Sequence, residues 1–204
     1  MFLNLFSKSN LGIFFANLAV NKMIMSLKNK KVAILTDEGF EESELFEPLH
    51  RLQQEGAEVH IVSTKSGEIQ GMKEHQWSKK IKVDQVIDAV KASDYDALVL
   101  PGGVINPDIL RNNEKSVQFV KDFADNKKPI AAICHGPQTL INAGAVEGKK
   151  LTSFPSIKVD LQNAGAHWVD EEVVVDNGLV TSRTPKDLPA FLDKMVEEIA
   201  EGKH

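Results

Sequence analysis

Four apolar runs constrain this chain more than anything else in it: Val32-Ala33-Ile34-Leu35, Val59-His60-Ile61-Val62, Ala97-Leu98-Val99-Leu100 and Ile130-Ala131-Ala132-Ile133. A strand with one wet face alternates apolar and polar residues. Runs without that alternation suit strands buried on both faces, as in a parallel sheet covered by helices. Helical spacing fills the gaps between them. Leu45, Leu49 and Leu52 follow one another before Gly56, with Pro48 implying an early kink. Val117, Val120 and Ala124 predict a helix from about Asn113 to Asn126.

Near the end, Thr184 is placed to cap a helix opened by Pro185, and Asp187 completes a Thr-x-x-Asp box. Leu188, Phe191, Leu192, Met195 and Ile199 then form one stripe. Asn177-Gly178 between Val173-Val174-Val175 and Leu179-Val180-Thr181 predicts a hairpin. Strand alternating with helix predicts an α/β three-layer sandwich with a mainly parallel sheet. At about 150 residues per domain, the 204 residues suit one domain, read here as residues 31–204.

Residues 1–30 differ from the rest. No acidic residue occurs from Met1 to Thr36, and Leu11 to Val20 is mostly apolar but interrupted by Asn17. The uncharged start and the spacing around Ala16 and Ala19 do not fit a secretory signal. The segment is read as an N-terminal extension: a weak targeting peptide, a disordered or membrane-touching tail, or residues upstream of a start at Met23 or Met25. No stretch is long and apolar enough to predict a transmembrane helix. The formal charge of −5 argues against a basic nucleic-acid-binding face. The single cysteine, Cys134, rules out an intramolecular disulfide and a cysteine-based zinc cluster. A cytoplasmic protein is expected.

In open parallel sheets, sites form where strands end, so the residues after each run carry the functional reading. After Ile133 comes Cys134-His135-Gly136-Pro137, a strand-to-helix turn that presents a thiol as a nucleophile elbow presents a serine. A thiol at a helix mouth is expected to ionise more easily. After Leu100 comes Pro101-Gly102-Gly103. Its backbone N–H groups, with that of His135, are arranged to hold an oxyanion. Asn106-Pro107-Asp108 supplies a carboxylate able to orient an imidazole, or simply to cap a helix. After Leu35 the chain carries five carboxylates in Asp37 to Glu44. Glu41 and Glu44 can share a helix face, and one buried beside a thiol would hold its proton and hydrogen-bond the sulfur. The other histidines, His50, His60, His75, His167 and His204, show no ligand spacing, so no metal is predicted. The P-loop and dinucleotide fingerprints are missing as well, so no cofactor is expected.

These segments resemble the ThiJ/PfpI family, the intracellular-protease and general-stress-protein group related to class I glutamine amidotransferases. The resemblance runs from about Lys31 to Ile199, and Ala132-Ile133-Cys134-His135-Gly136-Pro137 is its most specific part. It implies a flavodoxin-like sandwich with Cys134 as nucleophile and His135 as its acid/base partner. Gly103 and His135 would be the oxyanion donors, and Glu44 the carboxyl beside the sulfur. Asp108 would be the acid lent by a neighbouring subunit, here on a loop one residue longer and with Asp for the usual Glu. Glu41, Gly102 and Phe154 would border the pocket, Phe154 replacing a tyrosine found in some relatives. The resemblance further implies self-association as dimers or trimers of dimers. It implies action on small aldehydes or glycated amines and thiols, on peptides in the protease branch, or redox-responsive chaperoning without turnover.

Overall fold

The computed structural model describes residues 27–203. Of the extension read over residues 1–30, residues 1–26 therefore lie outside the described residues. In chain order the elements are β1 (Lys31–Leu35), α1 (Glu42–Gln54), β2 (Glu58–Ser63), β3 (Glu68–Lys73), β4 (Gln76–Lys82), β5 (Gln85–Val86) and β6 (Ala97–Leu100). There follow α2 (Ile105–Arg111), α3 (Glu114–Asp125), β7 (Ile130–Ile133), α4 (Pro137–Asn142), β8 (Lys150–Leu151) and α5 (Lys158–Asn163). The chain ends with β9 (His167–Trp168), β10 (Val173–Asp176), β11 (Leu179–Ser182) and α6 (Leu188–Glu201).

Seven strands form the central sheet in the order β10-β11-β7-β6-β1-β2-β5. Every neighbouring pair is parallel except β10 with β11. Why the runs are unbroken is visible in the packing, because alternate residues of each strand feed opposite layers. Ala33, Leu35, Leu98, Leu100, Ile130 and Ala132 face Leu110, Phe119, Phe123 and Leu140 of α2, α3 and α4. Val32, Ile34, Ala97, Val99, Ala131 and Ile133 face Leu45, Leu49 and Leu52 of α1 and Phe191, Met195 and Ile199 of α6. The three-layer α/β sandwich expected from the runs is the fold observed. Leu27 is already fully buried in the second cluster, and its N–H donates to the Glu55 carbonyl (3.2 Å).

Local predictions fare differently. Asn113 caps α3 by accepting the Ser116 N–H at 2.9 Å. Asn177 and Gly178 both have positive φ between the antiparallel β10 and β11, as an Asn-Gly hairpin requires. The last helix departs from expectation. Residues Pro185–Asp187 form a 3-10 turn, the α-helix starts at Leu188, and Thr184 makes no side-chain cap. The Asp187 carboxylate is instead held by Arg183, which donates from Nε and Nη2 at 3.0 Å each. A two-point charged pair outcompetes a single capping bond.

One element has no counterpart in the apolar pattern. Strands β3 and β4 form a separate antiparallel hairpin. Its two-residue turn is Glu74-His75, and both residues are left-handed, with φ of 50° and 64°. Among the described residues no helix is long and apolar enough to cross a membrane.

Candidate active site

At the end of β7 the chain must leave a fully buried strand and enter α4 within three residues. Cys134 takes the left-handed conformation (φ 60°) that makes this possible, at a steric cost of about 1–2 kcal/mol for a residue with a Cβ. Neighbours over-determine it. The Cys134 N–H donates to the Ser182 carbonyl (3.0 Å), its own carbonyl accepts from Phe154 N–H (2.9 Å), and Gly136 N–H closes the turn onto Ile133 (2.9 Å). Strain held in place this way concentrates at functional positions.

Three side chains surround the sulfur. His135 Nδ1 lies 3.2 Å from Sγ, and its Nε2 lies 3.0 Å from Ser156 Oγ. The imidazole is stacked on Phe154, centroids 4.8 Å apart and rings inclined by 23°. Burial lowers the His135 pKa, so the ring facing the thiol at neutral pH is uncharged. Glu44, fully buried in the first turn of α1, is the third neighbour. Its Oε2 accepts the Gly102 N–H at 3.0 Å, whereas its Oε1 has no nitrogen or oxygen partner. Burial, reinforced by the negative charge of Glu41, pushes the Glu44 carboxyl up to about 8. At neutral pH it keeps its proton and faces the sulfur as a donor.

The expected acidic thiol is corrected here. Burial, followed by the charge of Glu44, raises the Cys134 pKa, and the N–H groups of Gly103 and His135 oppose this without reversing it. The helix supplies little. Helix α4 has six residues, Pro137 has no N–H, and the Gln138 N–H is taken by the His135 carbonyl. Two buried acids side by side cannot both ionise. With the proton on Glu44, the repulsion between the two is gone, and burial still raises the thiol. Together Cys134 and Glu44 thus behave as one site that shares its proton.

Two glycines make the approach possible. A Cβ on Gly102 would sit 2.4 Å from Glu44 Oε2 and 2.6 Å from the Cys134 Cβ. Gly103, at φ 81°, would place one 2.4 Å from the Gly39 carbonyl. A buried amide fixes this loop. Asn106 Nδ2 donates to the Pro101 and Gly102 carbonyls (2.9 and 3.0 Å), and its Oδ1 accepts the Asp37 N–H (2.7 Å). Asp37, buried in turn, accepts from Ser63 Oγ (3.0 Å), Thr64 N–H (3.2 Å) and Thr64 Oγ1. The ends of β1, β2 and β6 are tied together by these bonds. Glu41 caps α1 by accepting the Glu44 N–H (2.8 Å) and Ser43 Oγ–H (2.5 Å).

A cavity of about 680 Å³ opens onto the sulfur. Glu41, Glu44, Gly103, Cys134, His135 and Phe154 line it, whereas Gly102, expected at its border, does not, since its N–H is turned onto the buried Glu44. Asp108 does not: it is exposed on α2, and Nε2 of His135 already meets Ser156. Sequence reasoning missed Ser156, the Asp37–Asn106 pair and His75. His75 shows no ligand spacing in the sequence, and the β3–β4 turn brings it to the cavity wall. A polar Thr152-Ser153 after the short β8 was the one available hint at Ser156.

The chain is 48% identical over 167 residues to the protein called Deglycase TK1284 from Thermococcus kodakarensis, an alignment covering 82% of this chain and 98% of that one. It is 48% identical over 163 residues to General stress protein 18 of Bacillus subtilis, covering 79% and 93%. Among solved structures, a two-domain protein from Anabaena variabilis containing DJ-1/ThiJ/PfpI-like and ferritin-like domains superposes with a TM-score of 0.80 at 37% identity. That match covers 84% of this chain and 48% of the longer protein. The sequence pattern of the DJ-1/PfpI family matches residues 30–198. Fold and sequence agree, and this chain belongs to the DJ-1/PfpI family.

Proposed function

We propose that this protein is a cysteine enzyme of carbonyl-stress defence, acting on reactive aldehydes and on the early adducts they form with amines and thiols. One observation carries this reading: a strained thiol, a neutral imidazole and a proton-holding carboxyl meet at one cavity. The names of its relatives, a deglycase and a general stress protein, support it.

For methylglyoxal, Cys134 Sγ attacks the aldehyde carbon while His135 Nδ1 takes the thiol proton. General-base activation of this kind suits a thiol whose own pKa is raised. The N–H groups of Gly103 and His135 hold the oxyanion until it is protonated to the hemithioacetal. Removing the proton on the sulfur-bearing carbon gives an enediol, and protonation of the adjacent carbon gives a lactoyl thioester. Glu44 and His135 are the two groups placed to move these protons. Water then hydrolyses the thioester to lactate and restores the thiol, so the net change is addition of one water. On a hemiaminal adduct, the same sulfur attack expels the amine.

Asp108 in this reading serves a second copy of the chain, since it lies outside the lining of its own pocket. Mixing Asp108→Asn with Cys134→Ser protein tests that. Trans action predicts recovered turnover in the mixture, and no recovery removes Asp108 from the mechanism. We place the protein in the cytoplasm, where such aldehydes arise. The functional test is lactate formation from methylglyoxal without added thiol. Cys134→Ser is expected to abolish it, and retained turnover would sink the reading.

A further inference from the structure

The cavity wall is one-sided in charge. The carboxylates of Glu41 and Glu74 line it beside the protonated Glu44, and among the described residues no lysine or arginine does. Among the cations of adjoining elements, Lys79 pairs with Glu42, Lys65 with Glu38, and Arg183 with Asp170 and Asp187, while Lys73, next to Glu74 in the chain, is exposed and outside the lining. The remaining wall is largely apolar, with Met72, Val104, Ile105 and Phe154. Apolar walls around charges of one sign concentrate their field in the opening. Deep in the cavity, the fully buried Glu44 has no nitrogen or oxygen partner at Oε1 and faces the Cys134 sulfur.

Glu74 reaches this wall by an unusual route. A two-residue turn with both residues left-handed normally uses Asn-Gly, yet here Glu74 and His75 occupy it and both line the cavity. We propose that the pocket selects its electrophile by charge, admitting neutral and cationic carbonyl compounds and repelling anionic ones, with Glu74 at the tip of the β3–β4 hairpin setting this bias. In naming carbonyl compounds the proposal rests on the functional reading above. The substrate class it defines is neutral dicarbonyls such as methylglyoxal, together with adducts on lysine and arginine side chains. Carboxylated aldehydes such as glyoxylate are excluded.

The charge bias can be read without turnover, because Cys134 is the chain's only cysteine. Two methanethiosulfonates of similar size, one carrying an aminoethyl and one a sulfonatoethyl group, each form a mixed disulfide with Cys134 and release methanesulfinate. Relative to free 2-mercaptoethanol, the cation-to-anion rate ratio is expected to be on the order of tenfold higher at low salt. It should shrink at high salt, fall several-fold in Glu74→Gln and persist in Glu74→Asp. A ratio equal to that of the free thiol overturns the proposal, as does one that survives Glu74→Gln unchanged. Lactate formation with no bias would leave the functional reading standing and remove this one. Bias without lactate formation would do the reverse. A sulfur that reacts with neither reagent overturns both.

Discussion

This protein has two interiors. Midway along the strands it is aliphatic, with Ala33, Leu98 and Ala132 against Phe119 and Phe123 on one face. At the carboxyl ends of β1, β2, β6 and β11 it is polar, with Thr36, Asp37, Ser63, Asn106, Thr181 and Ser182 all buried. Both exclude water, yet they obey different rules. An aliphatic side chain is satisfied by any well-fitting apolar neighbour. A buried amide or carboxylate needs particular partners at particular distances, and each one left unpaired costs about 1–3 kcal/mol. The first interior therefore sets stability and the second sets geometry, and substitutions should separate the two.

The sharpest separation is expected at Cys134. Cys134→Ser should lower turnover at least about a thousandfold, as loss of a nucleophile does. Unfolding free energy should change by no more than about 1 kcal/mol, measured by urea titration. Phe123→Ala should do the opposite. It should cost about 3–5 kcal/mol of stability and leave turnover per folded molecule unchanged. Were its kcat to fall as far as stability, the two interiors would not be independent.

Asn106→Leu probes their boundary. It strips two carbonyls and one N–H of their partners, at a cost of about 2–3 kcal/mol. It also frees the Gly102–Gly103 loop. We expect kcat to drop about 10- to 100-fold with KM nearly unchanged, the pattern of a positioning residue. Equal changes in KM and kcat would point to a general loosening of the pocket.

A pH titration sharpens the same contrast. Glu44 titrates at about 8 in the folded protein against 4.5 when unperturbed. The folded state thus binds more protons than the unfolded state between these values, and stability declines as pH rises across that window, by at most about 1.4 kcal/mol per pH unit. Glu44→Gln should flatten the decline. An unchanged slope would mean that Glu44 is ionised and that the thiol carries the shared proton.

The smallest effect is expected at the β3–β4 turn. Glu74→Asn combined with His75→Gly should raise stability by up to about 1 kcal/mol by relieving two left-handed residues, while removing the charge bias at the pocket. The β10–β11 turn already has Asn177-Gly178 and offers no such gain.

The two hairpins also mark how far the sequence could be read. Asn177-Gly178 between β-branched runs announces its hairpin through backbone chemistry alone. Glu74-His75 announces nothing, because neither residue favours φ > 0 and β4, which follows it, is mostly exposed. Cys134, His135, Gly103 and Glu44 were legible because each directly follows an apolar strand or opens a helix, where a parallel sheet collects its site. Ser156 and Asn106 were not. Ser156 matters only because the chain beyond β8 folds back over His135, and Asn106 only because α2 returns its amide to the loop that precedes it.

From its residues alone, then, the chain determines a doubly covered parallel sheet and the strand end that carries Cys134. Both follow from local periodicity and turn sterics, which act over a few residues. Tertiary structure decided the ionisation of the site. The sequence pointed to a helix that would acidify Cys134, but folding buried the sulfur beside Glu44 and raised both groups. Desolvation and the distance between two charges depend on elements 90 residues apart in the chain, from Glu44 to Cys134, and local patterns carry no record of either.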